Sequence, residues 1–212
     1  MKKPIAAATL VALLGVTSAT RAEDITRFAP LKAEELTPPQ KAWADEIAAP
    51  PRNAKFGNPP YRAYIRSPDL APRLSALSEY LRWNTSLSPR LSELAILITA
   101  REWTAQYEWF AHYPLALKGG LDPKVADAIA AGKRPDMMKD DEAALYDLAT
   151  ALYRDRKVSD AVYKAALEKF GERGIMDIIG IIGYYDLVSM TLITMQAAPP
   201  NDSVKPLPVL GK

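Results

Sequence analysis

The chain has 212 residues, no cysteine, and nearly equal numbers of basic and acidic side chains, 27 against 25. This length is sufficient for one domain with a substantial core. A chain without cysteine forms no disulfide and offers no thiolate, which excludes thiol chemistry. No basic run is present that would neutralise a row of phosphates, so nucleic acid is not expected as a partner.

The first 22 residues have the order of a secretory signal peptide. Lys2 and Lys3 give a positive start, residues 5–16 form an apolar run, and the small residues Thr20 and Ala22 suit cleavage after Ala22. The apolar run is too short for a stable membrane span. We therefore expect a periplasmic or secreted protein that has no membrane anchor after cleavage. An uncleaved anchor is the alternative.

The remaining chain is predicted to be all-α, because its apolar residues recur with the helical period and no stretch alternates as a strand does. The sequence divides into an N-terminal helix with a proline-rich loop (23–60), a helical domain (61–198) and a loose C-terminal tail (199–212). The first helix is predicted to begin at Thr37-Pro38-Pro39-Gln40, where Thr37 and Gln40 fit a capping box. Pro50 and Pro51 stop it near Ala49.

Five further helix starts follow from capping residues and first-turn acids. They are Ser67-Pro68-Asp69, Ser88-Pro89, Asp122-Pro123, Asp140-Asp141-Glu142 and Ser159-Asp160. The last helix, from about Gly174 to Gln196, is apolar on nearly every face, which is typical of a helix buried in a domain and against a second subunit. A membrane span is the competing interpretation, although Asp177 and Asp186 interrupt the run.

The segment from Leu91 to His112 holds the groups most suited to chemistry. Glu108 and His112 are spaced i,i+4 and therefore share a helix face. If the two helices of this segment pack together, Glu93 converges with them. A carboxylate beside an imidazole fixes its tautomer and adjusts its pKa near neutral pH. We predict His112, Glu93 and Glu108 as catalytic residues, with a satisfied core histidine as the alternative.

Aromatic and basic residues nearby are candidates for substrate binding. Tyr107 and Trp109 are predicted to line a pocket for a flat or cyclic ligand, and Tyr185 on the last helix to reach it. Arg101 and Arg62 are candidates to hold a substrate carboxylate, with a surface salt bridge as the alternative for each. His-rich metal signatures are absent from the sequence, so no metal and no other cofactor is predicted.

Several motifs together carry a family resemblance over about residues 60–195. They are Ser88-Pro89-Arg90-Leu91-x-Glu93-Leu94-Ala95, then Ala105-Gln106-Tyr107-Glu108-Trp109, then His112, and later Gly183-Tyr184-Tyr185. The chain resembles the carboxymuconolactone decarboxylase-like family, which also contains the alkyl hydroperoxidase D enzymes. The resemblance implies the alkyl hydroperoxidase D-like helical fold. It also implies homo-oligomers, commonly trimers or hexamers assembled from trimers.

The resemblance also separates two kinds of activity. The peroxidase branch has a glutamate, a Cys-x-x-Cys pair and a histidine four residues on. Glu93 and His112 match its ends, but Ala105 and Glu108 occupy the cysteine positions, so an alkyl hydroperoxidase-like antioxidant activity is disfavoured. The decarboxylase branch implies a cofactor-independent lyase or isomerase acting on a small lactone or aromatic-derived carboxylic acid. A non-catalytic ligand-binding or assembly protein on the same fold is the alternative.

Overall fold

The computed structural model describes residues 27–210, and the predicted signal peptide lies outside this range. Within residues 27–210 the chain forms eight α-helices and no strand. They are α1 (Pro38–Ala48), α2 (Tyr61–Tyr64), α3 (Ala71–Trp83), α4 (Pro89–Trp103), α5 (Gln106–Lys118), α6 (Pro123–Ala130), α7 (Asp140–Thr150) and α8 (Asp160–Thr194). A 3-10 turn (Ala33–Glu35) precedes α1, and a π-helical turn (Ala151–Asp155) follows α7. The predicted all-α class is confirmed.

Local capping residues set most helix starts where the sequence predicts them. The Thr37 amide donates to the Gln40 side chain over 2.9 Å, and the Asp122 carboxylate accepts from the Lys124 amide over 2.8 Å. Ser88 caps α4 by accepting from the Leu91 amide. The helix predicted from Ser67 begins later, at Ala71, because Pro72 suits the first helical turn and residues 67–70 form a turn instead.

Helix α4 is the centre of the domain, and it packs against α5, α7 and α8. Every residue from Leu94 to Arg101 is buried. Because α4 is enclosed on most sides, the polar side chains that it and α5 carry are placed inside the domain rather than on its surface. This arrangement decides where Glu93 and its neighbours lie.

Helix α8 contains a break that the sequence also predicts. Gly171 adopts φ 64° and ψ 177°, a conformation that residues with a side chain rarely reach, so α8 is two helical segments in succession. By length and composition α8 could cross a membrane, but half of its most apolar window is buried inside the domain. Asp177 within it is also buried and accepts hydrogen bonds from Tyr80 and Ser86. These are the contacts of a core helix.

The C-terminal segment, predicted to be loose from residue 199, is held against the junction of α4 and α5. The Gln106 side chain donates to the Leu207 carbonyl and accepts from the Leu207 amide, each over 2.9 Å. The Arg101 guanidinium donates to the Pro208 carbonyl over 2.8 Å, and the Leu207 side chain is buried. The segment is fixed because its Pro208 carbonyl accepts a hydrogen bond from the buried Arg101 guanidinium. The composition of residues 199–212 gives no sign of this contact.

Candidate active site

The His112 imidazole lies between two carboxylates. Its Nδ1 is hydrogen-bonded to Glu93 Oε2 over 2.6 Å, and its Nε2 lies 3.0 Å from Glu108 Oε1. His112 and Glu108 are buried, and Glu93 is nearly so. The structure thus brings together the three residues predicted from the sequence, while their catalytic role stays a prediction.

A tight connection between α4 and α5 brings the side chains of Glu93, Glu108 and His112 together. Thr104 takes the left-handed conformation (φ 51°, ψ 38°), and the Ala105 amide then donates back to the Ala100 carbonyl over 2.8 Å. Two residues therefore suffice to join the helices, and so short a link places them side by side. Glu93 on α4 consequently faces the side of α5 that carries His112.

The charges around His112 give it an unusual proton affinity. Burial by itself lowers the pKa of an imidazole, but the carboxylates of Glu93 and Glu108 outweigh burial and raise the pKa of His112 to about 9. The ring is therefore protonated at neutral pH rather than titrating there as the sequence predicts. It is a proton donor in its resting state.

The contact with Glu108 is an ion pair rather than a well-aligned hydrogen bond. Glu108 Oε1 lies 3.0 Å from Nε2 of the protonated ring, so the buried carboxylate has a charge partner, although within residues 27–210 no aligned hydrogen-bond donor reaches this oxygen. A donor group of a ligand in the pocket would complete its hydrogen bonding. The contact with Glu93 is the aligned one and fixes the ring.

A pocket of about 180 Å³ opens beside these groups, enough for about six water molecules at liquid density. Glu108 and His112 form part of its wall, and Glu93 lies behind the ring. The other polar and aromatic residues that line it are Arg52, Tyr61, Ser78, Arg82, Tyr107, Tyr184 and Tyr185. The loop before α2, the first residue of α2, and helices α3, α5 and α8 therefore all contribute to one small cavity.

Two of the predicted substrate-binding residues, Tyr107 and Tyr185, line this pocket. The Tyr185 ring packs edge-on against the His112 ring with 5.1 Å between centroids, and Tyr184 packs in the same manner on Tyr185 over 5.3 Å. Burial raises the pKa of Tyr185 well above its ordinary value, so its hydroxyl stays neutral. The tyrosines give the pocket flat walls and neutral donors.

The other three predicted substrate-binding residues, Arg101, Arg62 and Trp109, are not among the residues that line this pocket. Arg101 is buried and donates to the carbonyls of Ala130 and Pro208, so it is neither a carboxylate clamp nor a surface salt bridge. Trp109 is buried against Tyr113 and borders a separate cavity of about 460 Å³ beside the C-terminal segment. One residue along a helix is a turn of about 100°, which carries Trp109 away from the face of Glu108.

The pocket instead has two arginines that the sequence analysis missed, Arg52 and Arg82. Within the described chain neither forms an ion pair. Burial lowers the pKa of Arg82, but the neighbouring Tyr185 and Glu93 outweigh it and raise that pKa above its ordinary value. Both guanidiniums lie over the Trp83 ring, at 5.2 and 5.5 Å from its centroid. Arg52 belongs to the proline-rich loop before Tyr61 and Arg82 lies at the end of α3, and no local motif marks either one as a binding residue.

Comparison with known proteins places the fold. No family model and no curated protein matches the chain. A peroxidase-related protein from Ralstonia eutropha with an alkylhydroperoxidase AhpD core matches with a TM-score of 0.68 and 21% identity, over 85% of this chain and 95% of that one. A protein of unknown function from Agrobacterium tumefaciens, named as a candidate antioxidant defence protein AhpD, matches with a TM-score of 0.54 and 15% identity, over 65% and 94%.

Both matches are likenesses of fold, because both identities are below 25%. The chain is thus an all-helical protein with the alkyl hydroperoxidase D-like fold, as the resemblance predicts. Its site has the glutamate and the histidine of that pattern, without the cysteine pair.

Proposed function

We propose that this chain is an exported, cofactor-independent lyase or isomerase of the carboxymuconolactone decarboxylase type, acting on a small lactone or aromatic-derived carboxylic acid. One observation carries the proposal. A protonated His112 that is paired with Glu108, and two arginines without ion pairs, border a single pocket of about 180 Å³. Proton transfer beside a bound anion is the chemistry that such a set of groups supports.

In the lyase reaction the substrate carboxylate leaves as CO2, and the electron pair of the broken bond passes to the neighbouring carbon and its conjugated carbonyl. His112 then donates its Nε2 proton to that carbon, and water restores the proton. In an isomerisation Glu108 takes a proton from one carbon and His112 gives one to another. Glu93 acts through its hydrogen bond to Nδ1, which keeps Nε2 directed at the pocket.

Arg52 and Arg82 are proposed to orient the acid and to stabilise negative charge as it moves onto the carbonyl oxygen. A preorganised cation in a partly dry pocket stabilises such charge more than water does. Tyr61 and Tyr107 line the same pocket and suit the faces of a flat or cyclic substrate. The proposed substrate is therefore small, cyclic and anionic.

Thiol peroxidase activity is not proposed, although one structural neighbour is described as peroxidase-related. Reduction of a peroxide by this route needs a thiolate to attack the peroxide, and the chain has no cysteine. A pure ligand-binding role, the alternative from the sequence, would use the same pocket and arginines. Only a measurement of turnover separates the two.

The test begins with a thermal-shift screen of lactones and hydroxy acids on residues 23–212, because a ligand of the folded state raises its apparent stability. Hits are then assayed for CO2 release and, in D2O, for deuterium incorporation by NMR. We expect His112→Gln to lower turnover by about 10²–10⁴-fold. We expect Arg82→Gln to weaken binding, and Arg73→Gln, which is exposed on the same helix, to change neither property.

Each outcome bears on a different part of the proposal. Unchanged turnover by His112→Gln on an active substrate would remove His112 from the mechanism. Tight binding of several acids with no conversion of any would favour the ligand-binding alternative. Equal effects of Arg82→Gln and Arg73→Gln would leave the pocket arginines without their assigned role.

A further inference from the structure

A second cavity, separate from the active-site pocket, lies between helices α5 and α6 and the C-terminal segment. Its volume is about 460 Å³, and small-molecule sites commonly measure about 300–1,000 Å³. Trp109 and Tyr113 of α5 form one part of its wall, and Pro206 and Pro208 of the C-terminal segment form another. It shares no lining residue with the pocket beside His112. A ligand bound here is therefore bound apart from the proposed chemistry.

The C-terminal segment is anchored next to this cavity. The Leu207 backbone exchanges two hydrogen bonds with the Gln106 side chain. A Cβ on Gly132 would collide with the Leu210 side chain, so the segment also packs closely at that point. Residues 203–206, just before these anchors, line the cavity instead of closing it. The cavity is therefore bounded by parts of the chain that other contacts hold in place.

Two charged side chains of opposite sign line the cavity. Asp127 lies on α6 and Lys205 on the C-terminal segment, and both are exposed at its rim. In the part of the chain that the structure describes, neither forms an ion pair with the other or with a further residue. The Asp127 carboxylate accepts one long hydrogen bond, of 3.5 Å, from the Tyr113 hydroxyl. The cavity thus offers a negative acceptor, a positive donor and an aromatic wall.

We propose that this cavity binds a small zwitterion with a flat apolar body, of the class of the aromatic α-amino acids. The ammonium group of the ligand donates to Asp127, and its carboxylate accepts from Lys205 and from the Ser203 hydroxyl, which also lines the cavity. The ring of the ligand packs against Tyr113 and Pro206. Such a ligand gives a partner to both charged side chains and adds no net charge to the cavity.

The pair of charges argues against a ligand of a single sign. An organic cation would be attracted by Asp127 and repelled by Lys205, and for an anion the two effects are exchanged. A neutral ring compound would cover part of both charges without giving either one a partner, which costs free energy. The zwitterion is the class for which both interactions are favourable.

Isothermal titration calorimetry on residues 23–212 tests this with two probes, L-phenylalanine and L-phenylalaninamide, which lacks the carboxylate. We expect L-phenylalanine to bind more tightly than the amide. Asp127→Asn is expected to weaken both probes about 5-fold or more, because both carry the ammonium group. Lys205→Gln is expected to weaken only L-phenylalanine. The matched control Lys124→Gln, exposed on α6 outside the cavity, is expected to change neither.

Arg82→Gln separates this site from the active-site pocket, and we expect it to leave the binding of L-phenylalanine unchanged. Binding that is lost in Arg82→Gln and kept in Asp127→Asn would place the ligand beside His112 and overturn the proposal. Equal effects of Lys205→Gln and Lys124→Gln, or no binding of L-phenylalanine up to about 10 mM, would also overturn it. Circular dichroism checks that each variant is folded. None of these outcomes bears on the proposed lyase or isomerase chemistry, because the two cavities share no residue.

Discussion

At the scale of single residues, His112 shows which properties the spacing of residues in the sequence predicts and which it does not. The i,i+4 relation to Glu108 and the distance along the chain to Glu93 were enough to predict that the three side chains meet. The pKa of about 9 was not predictable, because it depends on how completely the ring is buried and on two carboxylates acting together. Those quantities exist only once the helices are packed.

The raised pKa of His112 predicts a pH-dependent stability. The folded protein keeps the proton up to about pH 9, whereas the unfolded chain loses it near pH 6.5, so the stabilisation is complete below pH 6.5 and is lost as the pH rises to about 9. Urea unfolding of the parent and of His112→Gln should show their difference in unfolding free energy shrinking by a few kcal/mol across this range. A difference that is constant with pH would contradict a protonated His112.

The arginines show the same limit. Arg101 was predicted at the site because it lies in the right segment, yet its guanidinium is used by the carbonyls of Ala130 and Pro208. Arg82 lies about ten residues before the nearest predicted site residue and lines the pocket. A long side chain can point either way from a helix, so its destination is decided by tertiary packing and not by its neighbours in sequence.

At the scale of helices, the starts were predictable because a cap is a local interaction. The C-terminal segment was not, because its anchoring contact joins Gln106 to Leu207, 101 residues apart. Helix α7 shows a third case. Its acidic first turn was assigned to the helix dipole, and the structure adds an ion pair from Arg90 on α4 to Asp141 and Glu142. A helix start thus also serves to join two helices.

This ion pair predicts an unequal response to two matched substitutions. Glu142 is buried, so Arg90→Met should leave a carboxylate without its partner and lower the unfolding free energy by about 3–5 kcal/mol. The control Arg134→Met breaks the exposed pair with Asp147 and should cost less than about 1 kcal/mol. Denaturant unfolding at neutral pH measures both, and similar losses would show that burial of Glu142 is not decisive.

At the scale of the whole molecule, periodicity predicted an all-helical domain, and the motifs around Glu93 and His112 predicted its fold. Only part of the pocket was predictable, namely Tyr107 and Tyr185 beside His112, because the rest of its wall comes from the proline-rich loop, α2 and α3, which lie outside the segment that carries the motifs. The sequence shows that a helix has an apolar stripe. It does not show which other helix that stripe packs against.

Export is a further expectation for the whole chain. Expression of all 212 residues in a Gram-negative host should yield a periplasmic protein whose intact mass corresponds to a start at Glu23, because cleavage is predicted after Ala22. Mass spectrometry of the periplasmic extract measures this directly. A protein found only in the cytoplasm with its first 22 residues attached would contradict the prediction.

The charges of Arg52, Arg82, Glu108 and His112 around one pocket, with Glu93 against the imidazole, also set an electrical preference. With His112 protonated, these groups comprise three cationic and two anionic side chains, an excess of one positive charge. A guest bearing a single carboxylate brings the site to electroneutrality, whereas a doubly charged guest would leave it with unbalanced negative charge in a poorly hydrated space. The number of negative charges on an acid, more than the size of its ring, would then decide whether the pocket binds it.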